Sequence, residues 1–236
     1  GLLGSGLAAK QIVVWDKQLS ALRAAGFTVL ADRYGVRLAG SQDEGYDPDE
    51  CYPAEGQPLG RLVAGDLEFG VHDDNLGRKS YVSKLVSRQI TKIINLTPLL
   101  NHNLAGVSGN LYGLAMASVD NTLRFVTDAE TLAKAVPEIY ALPLVGDRVV
   151  LNIVDALIAQ YYGESHGLLH YAGALNQLRF STDPVALDVL SIQELDRQRA
   201  AAQVTPVKVS LELYDIAALL EIGVADPRAI RVEIVP

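Results

Sequence analysis

Short apolar runs and helix-like spacings alternate along the first thirty residues. Residues 11–15 form a largely apolar run that ends at Asp16, which is typical of a strand buried on both faces of a mostly parallel sheet. Residues 17–25 carry leucines at helical spacing before a glycine, and residues 27–30 form a second short apolar run. The pattern therefore predicts a strand, a helix and a strand in succession.

The rest of the chain continues this alternation. Helical patterns are found at residues 82–90, 129–140, 184–202 and 210–220, and strand-like patterns at residues 92–96, 148–155, 177–181 and 229–235. This order predicts an α/β fold, with a mostly parallel or mixed central sheet and helices on both faces. We expect a single domain over residues 1–236.

Residues 40–60 interrupt the pattern. They are acidic, contain several glycines and prolines, and lack an apolar period. Because strand-like patterning resumes after them, we expect an acidic surface loop and not a domain boundary. Long loops in compact domains are often functional or mobile, and the sequence leaves both roles open.

Composition narrows the class of protein. With 236 residues, of which 49% are hydrophobic and 20% charged, the chain has the balance of a globular protein with a sizeable core. Its net charge of −8 argues against nucleic acid as a partner, because a nucleic-acid surface needs clustered lysine and arginine. No window reaches the ~18 apolar residues of a membrane span, so no integral membrane association is predicted. A small-molecule ligand and a homo-oligomer stay open.

The single cysteine, Cys51, excludes an internal disulfide and a metal site made of cysteines alone. This favours a cytoplasmic location, although exported proteins can also lack disulfides. Gly1 opens directly into an apolar stretch, with no Met and no basic segment. We therefore expect a processed, trimmed or incompletely given chain, and an exported form after leader removal stays open.

Polar side chains follow several of the predicted strands. Asp16 follows the first strand, His102 and Asn103 lie shortly after a later one, Asp155 ends another, and Asp183 follows a fourth. In open α/β sheets, ligands bind at the carboxyl ends of the strands, where loops and helix starts converge. These residues predict a shared polar cleft. The alternative is that Asp16 and Asp183 only cap helices.

His102 is the best candidate for a catalytic acid or base, since imidazole exchanges protons near neutral pH. The alternative is that its ring only satisfies backbone groups of the loop. The glycine-punctuated residues 106–113 could offer N–H groups to an anion at a helix start. Because they lack the lysine and the glycine spacing of nucleotide-binding loops, close helix packing is favoured.

No motif identifies a cofactor, and no metal site is predicted. His166 and His170 are four residues apart with Glu164 nearby, a spacing that would face a metal on a helix. Gly163 and Gly167 flank the pair and favour a loop instead.

Five segments resemble a known family; they are residues 12–16, 82–88, 92–96, 102–108 and 180–188. Together they resemble the bacterial and archaeal family catalogued as domain of unknown function family 362, whose members are sometimes fused to iron–sulfur modules. The resemblance covers most of the chain. Its most specific parts are the histidine–asparagine stretch and the sequence Asp-Pro-Val-Ala-Leu-Asp. It implies an earlier strand and helix ahead of Gly1.

Two departures from that family bear on function. Members often carry a lysine just ahead of the histidine, where this chain has Leu100, and a lysine–asparagine pair where it has Tyr112 and Gly113. Loss of two cations would weaken the binding of an anion. The resemblance therefore implies a different ligand or a lost activity, and the iron–sulfur association does not carry over to a chain with one cysteine.

Two hypotheses follow. The first is an enzyme that acts on a small polar or anionic metabolite at the carboxyl edge of the sheet. Its catalytic residue would be His102, and the residues expected to bind substrate are Asn103, Ser108, Lys92, Arg88, Asp16 and Asp183. The second is a non-catalytic binding or assembly module that has lost the family's site lysines and uses residues 40–60 to contact another protein.

Overall fold

The computed structural model describes residues 1–53, 58–163 and 167–235. Helices and strands are both well represented, so the chain is an α/β protein. It divides into two compact units, one made of residues 1–91 with 116–124 and the other of residues 92–115 with the rest. The described strands form four small sheets, and a single central sheet is not found among them. The single domain over residues 1–236 stays a prediction.

The first unit contains three two-stranded sheets in its described part. Its strands are β1 (Val13–Asp16), β2 (Arg37–Gly40), β3 (Tyr46–Tyr52), β4 (Gly60–Arg61), β5 (Leu76–Gly77) and β6 (Ser80–Ser83). Its helices are α1 (Leu19–Ala24), α2 (Phe27–Tyr34) and α3 (Ser41–Glu44), and a π-helical turn covers Leu85–Gln89. β1 pairs with β2 in parallel, whereas β3 with β6 and β4 with β5 are antiparallel.

Two predictions for this unit are wrong. Residues 27–30, predicted as a strand, begin α2, which is bounded by left-handed glycines at Gly26 (φ 83°) and Gly35 (φ 67°). A four-residue apolar run fits a turn of helix as well as a strand. The predicted surface loop differs as well, because its described residues up to 53 include α3 and β3, with Tyr46 and Tyr52 buried. Residues 54–57 lie outside the described part.

The second unit is built on one mixed sheet with the strand order β10–β9–β7–β8. Its strands are β7 (Ile93–His102), β8 (Gly106–Val107), β9 (Val149–Gln160) and β10 (Ala172–Ser181). Its helices are α5 (Ala129–Tyr140), α6 (Pro184–Ala201) and α7 (Glu212–Leu219), while α4 (Asn110–Ser118) begins in it. β7 and β9 are parallel, and β8 and β10 run antiparallel to their neighbours.

Local signals explain most of these elements. The predicted helix at residues 129–140 is confirmed as α5, and its N-cap Asp128 accepts a hydrogen bond from the Thr131 N–H. The long predicted helix after Asp183 is confirmed as α6. The strand predicted at residues 229–235 is not formed, and only a 3₁₀ turn, Pro227–Ala229, is seen in that region.

The two faces of the four-stranded sheet differ. Alternate residues of β7 are buried, from Ile93 to Leu99, and α6 contacts β7, β9 and β10. The residues between them, Ile94, Leu96 and Pro98, are exposed. The prediction of helices on both faces is therefore wrong for this sheet in the described chain.

Candidate functional site

His102 ends β7 and is 9% exposed. Its Nδ1 accepts hydrogen bonds from the backbone N–H groups of Leu104, at 3.3 Å, and Ala105, at 3.0 Å. Its ring lies 4.3 Å from that of Tyr112, centroid to centroid. An imidazole nitrogen that accepts N–H groups carries no proton. These contacts give the ring a structural task, which is to close the turn between β7 and β8.

Of the residues expected to bind substrate beside His102, Asn103 directly follows it and Ser108 follows β8, which pairs with the end of β7, whereas Lys92 lies far from it. The Asn103 carboxamide oxygen accepts a hydrogen bond from the Asn101 side chain at 3.0 Å, and the Ser108 N–H donates to the Leu100 carbonyl at 2.8 Å. Lys92 precedes the first residue of β7, so a ten-residue strand, roughly 30 Å long, separates it from His102. Lys92 and His102 therefore cannot share one small-molecule site.

Asp183 lies at the other end of the sheet from His102. β10 leads to Asp183 through Ser181, which pairs with Asn152, and Asn152 pairs with Asn95 near the start of β7. Because β10 runs antiparallel to β9, its carboxyl end lies on the order of 20 Å from the end of β7. A cleft shared by His102 and Asp183 is therefore ruled out.

Asp183 instead caps a helix, which was the alternative to a role in ligand binding. One carboxylate oxygen accepts the Ala186 N–H in the first turn of α6 at 2.8 Å, and the other accepts the Val224 N–H at 2.9 Å. The carboxylate thereby joins the start of α6 to the segment that follows α7.

Asp16 and Arg88 belong to the first unit. An Asp16 oxygen accepts the Gln18 N–H at 3.3 Å just before α1. The Arg88 guanidinium donates two hydrogen bonds of 2.7 Å to the carboxylate of Asp47, which is 3% exposed. Hydrogen bonding to Arg88 holds the pKa of Asp47 well below its usual range. The charge of Arg88 is thus already paired, and we do not assign it to a substrate.

The most organised polar site is one that the sequence did not single out. Asp188 of α6 is fully buried, and one of its oxygens accepts the N–H of Asn110 at 2.7 Å and the side-chain amide of Asn110 at 2.8 Å. Its other oxygen accepts the Leu111 N–H at 2.9 Å. Burial raises the pKa of this carboxyl to about 6. Asp188 therefore acts as the anion at the start of α4.

This contact shows what the N–H groups that follow the glycine-rich residues 106–109 bind. These N–H groups do bind an anion at a helix start, but the anion is the chain's own carboxylate. A Cβ at Gly109 would lie 2.2 Å from an Asp188 oxygen, so the glycine is needed for this approach. The signal in the sequence was the Asp-Pro-Val-Ala-Leu-Asp stretch, whose last residue is Asp188.

In the first unit, Lys17 is a partly buried charged group without a clear sequence signal. Its ammonium donates to the carbonyls of Met116, at 3.0 Å, and Val119, at 3.1 Å, and to the Thr122 hydroxyl oxygen, at 3.1 Å. Burial lowers the pKa of Lys17 to about 8. A cation on the last carbonyls of a helix is the complement of an acid at its start.

Two surface grooves lie elsewhere. One of about 420 Å³ lies between α6 and residues 207–211, and another of about 660 Å³ is lined by residues between 59 and 79. None of the residues expected to form the site lines either groove. No group of three or more histidine, cysteine or acidic side chains is placed to hold a metal ion within the described residues. Glu164 and His166, which with His170 have the spacing considered for a metal site, lie outside the described residues.

The exposed side of the four-stranded sheet is the remaining candidate. Eight apolar residues of three paired strands share it: Ile94, Leu96, Pro98, Leu151, Ile153, Leu157, Leu178 and Phe180. We call these residues the outer face. Leu96 is 61% exposed, Phe180 58% and Leu178 53%. Asp155 lies among them, and its carboxylate accepts the backbone N–H of Leu157 at 3.0 Å.

Comparison of the chain with family models, with curated proteins and with solved structures finds no match. The resemblance to domain of unknown function family 362 therefore stays a prediction. Among the described residues, no helix combines the length and the apolar character needed to cross a membrane.

Proposed function

We propose that this chain is a non-catalytic assembly module that associates with a second copy of itself through the outer face. The observation that carries the proposal is the row of eight apolar side chains on one exposed sheet surface. Single exposed apolar side chains are ordinary on proteins, whereas contiguous patches of this kind mark interaction surfaces.

The size of the outer face supports a protein partner. Six of the eight side chains are exposed, and Leu151 and Ile153 are partly buried. Together the eight side chains present roughly 500 Å² of apolar surface, which is at the upper end for a monomer. Each partner of a standard protein interface buries about 800 Å². The apolar centre of such an interface is therefore present, and the surrounding polar residues would supply its rim.

The outer face carries little of the charge that opposes association with a second copy. The chain carries a net charge of −8, so two copies repel each other over most of their surface. On the three strands of the outer face, Asp155 is the charged residue in the exposed rows, and its carboxylate is held by its own strand. Two such faces can meet about a twofold axis as two stacked sheets, about 10 Å apart.

The first hypothesis, a metabolite enzyme centred on His102, receives less support. Its expected residues are divided between both ends of the sheet and between the two units. His102 holds backbone N–H groups, Asp183 caps a helix, and Arg88 is paired with Asp47. Activity at His102 stays a prediction, and the assembly module is the reading that the geometry favours.

Leu96→Asp tests the proposal by sedimentation equilibrium. The wild-type chain should have about twice its monomer mass of 25.4 kDa, and the variant should be monomeric with a dissociation constant raised at least ~100-fold. Leu96 is 61% exposed, so the fold should be unaffected, which circular dichroism checks. Leu219→Asp, which makes the same change at the last residue of α7, outside the outer face and 82% exposed, is the matched control. A wild-type chain that stays monomeric at about 100 μM would contradict the proposal.

A further inference from the structure

Residues 230–235 carry a strand pattern but form no strand. Their sequence, Ile-Arg-Val-Glu-Ile-Val, alternates apolar and charged side chains over its first five positions. In the described chain they follow the 3₁₀ turn Pro227–Ala229 without pairing to any strand. Val232 is 62% exposed and Ile234 87% exposed. A strand needs a neighbour to satisfy its backbone groups and cover its apolar row.

Among the described residues, the second unit contains a sheet edge without a neighbouring strand. β10 lies at the end of the strand order, beside β9. Its residues 177–181 pair regularly with β9 and alternate as well: Leu178 and Phe180 belong to the outer face, and Arg179 lies in the opposite row. An edge strand of this length is a template for an added strand.

We propose that residues 230–235 of one copy add as a strand to the β10 edge of a second copy. Ile230, Val232 and Ile234 then extend the apolar row of Leu178 and Phe180. This inference rests on the proposed self-association through the outer face, and it identifies the segment that closes the assembly.

Charge on the opposite row fits the same arrangement. Arg179 of β10 lies 3.2 Å from Glu194 of α6, so the row opposite the outer face carries a charged pair at this edge. Arg231 and Glu233 of the added strand point to that side and bring one charge of each sign. In the described part of one chain no strand pairs with the outer edge of β10, and reciprocal exchange between two copies would supply one to each.

The double variant Val232→Asp/Ile234→Asp tests the exchange by sedimentation equilibrium. Both side chains are exposed, so the monomer should fold normally. We expect the dissociation constant to rise at least ~10-fold. Leu169→Asp/Leu219→Asp changes two leucines that are 85% and 82% exposed and should leave the constant unchanged. If the double variant associates like the wild type while Leu96→Asp does not, the proposed function stands and the strand exchange is wrong.

Hydrogen exchange separates pairing between copies from pairing within one chain. On association, the amides of residues 177–181 and 230–235 should exchange at least ~10-fold more slowly, and dilution to monomer should remove this protection. Protection that persists in the monomer would mean that the segment pairs with its own β10, which overturns the proposal. Rates that do not change on association would overturn it too. A wild-type chain that never associates would remove the proposed function as well.

Discussion

Asp188 shows how one buried charge affects the stability of this chain. Burial raises the pKa of its carboxyl to about 6 from an ordinary value near 3.8, although three N–H groups donate to it. The unfolded chain therefore loses this proton at lower pH than the folded one does. The stability that the group contributes is largest below pH 4 and is lost as the pH rises through 6.

We expect this pH dependence of stability to appear when the wild type is compared with Asp188→Asn. At pH 7 the variant should be less stable by about 2 kcal/mol, because its amide group meets the N–H donors at the start of α4. Between pH 7 and pH 5 the wild type should gain about 1 kcal/mol relative to the variant, which no longer titrates. Urea unfolding at both pH values measures the difference in the free energy of unfolding between the two proteins. A difference that becomes smaller toward pH 5 would refute the raised pKa of Asp188.

At the scale of the element, α4 depends on the contact between Gly109 and Asp188. A Cβ at position 109 would lie 2.2 Å from the carboxylate, whereas a Cβ at Gly113 would be 3.5 Å from Thr97, an ordinary contact. Gly109→Ala should therefore cost about 2–3 kcal/mol through overpacking. Gly113→Ala, inside the helix, should be neutral or stabilise by up to about 1 kcal/mol. Thermal unfolding of the two variants tests this contrast, and equal losses would contradict it.

The elements also show what the sequence could and could not predict. Strong local signals led to correct predictions, such as the helix with Asp128 as its N-cap and the helix that begins at Pro184. Strand direction had no such signal. The predicted cleft needs the strands to end at one edge of the sheet, and the antiparallel course of β10 moves Asp183 to the opposite end from His102. The predicted cleft failed for this reason, although the strand at residues 177–181 was correct.

Contacts between distant parts of the chain were the other limit. Asp188 and Asn110 are 78 positions apart, and Lys17 and Met116 are 99 apart, so neither pair has a spacing that a local pattern could reveal. The outer face could not be found either. The pattern at residues 92–96 predicts a strand, but nothing in it indicates that Ile94 and Leu96 are exposed. A run of apolar residues indicates a strand but not what covers it.

For the whole molecule, self-association has a consequence for stability. A partner that binds the folded chain but not the unfolded chain stabilises the folded state by mass action. The Tm of a dimer therefore depends on the protein concentration. For a chain of this size a tenfold increase in protein concentration should raise the Tm of the wild type by roughly 2 °C. Leu96→Asp should show no such dependence, since it adds a carboxylate to the outer face, while Leu219→Asp should keep it. Differential scanning calorimetry over two decades of concentration measures the slope. A flat wild-type profile, or an equal slope for Leu96→Asp, would show that the exposed sheet does not bring two copies together.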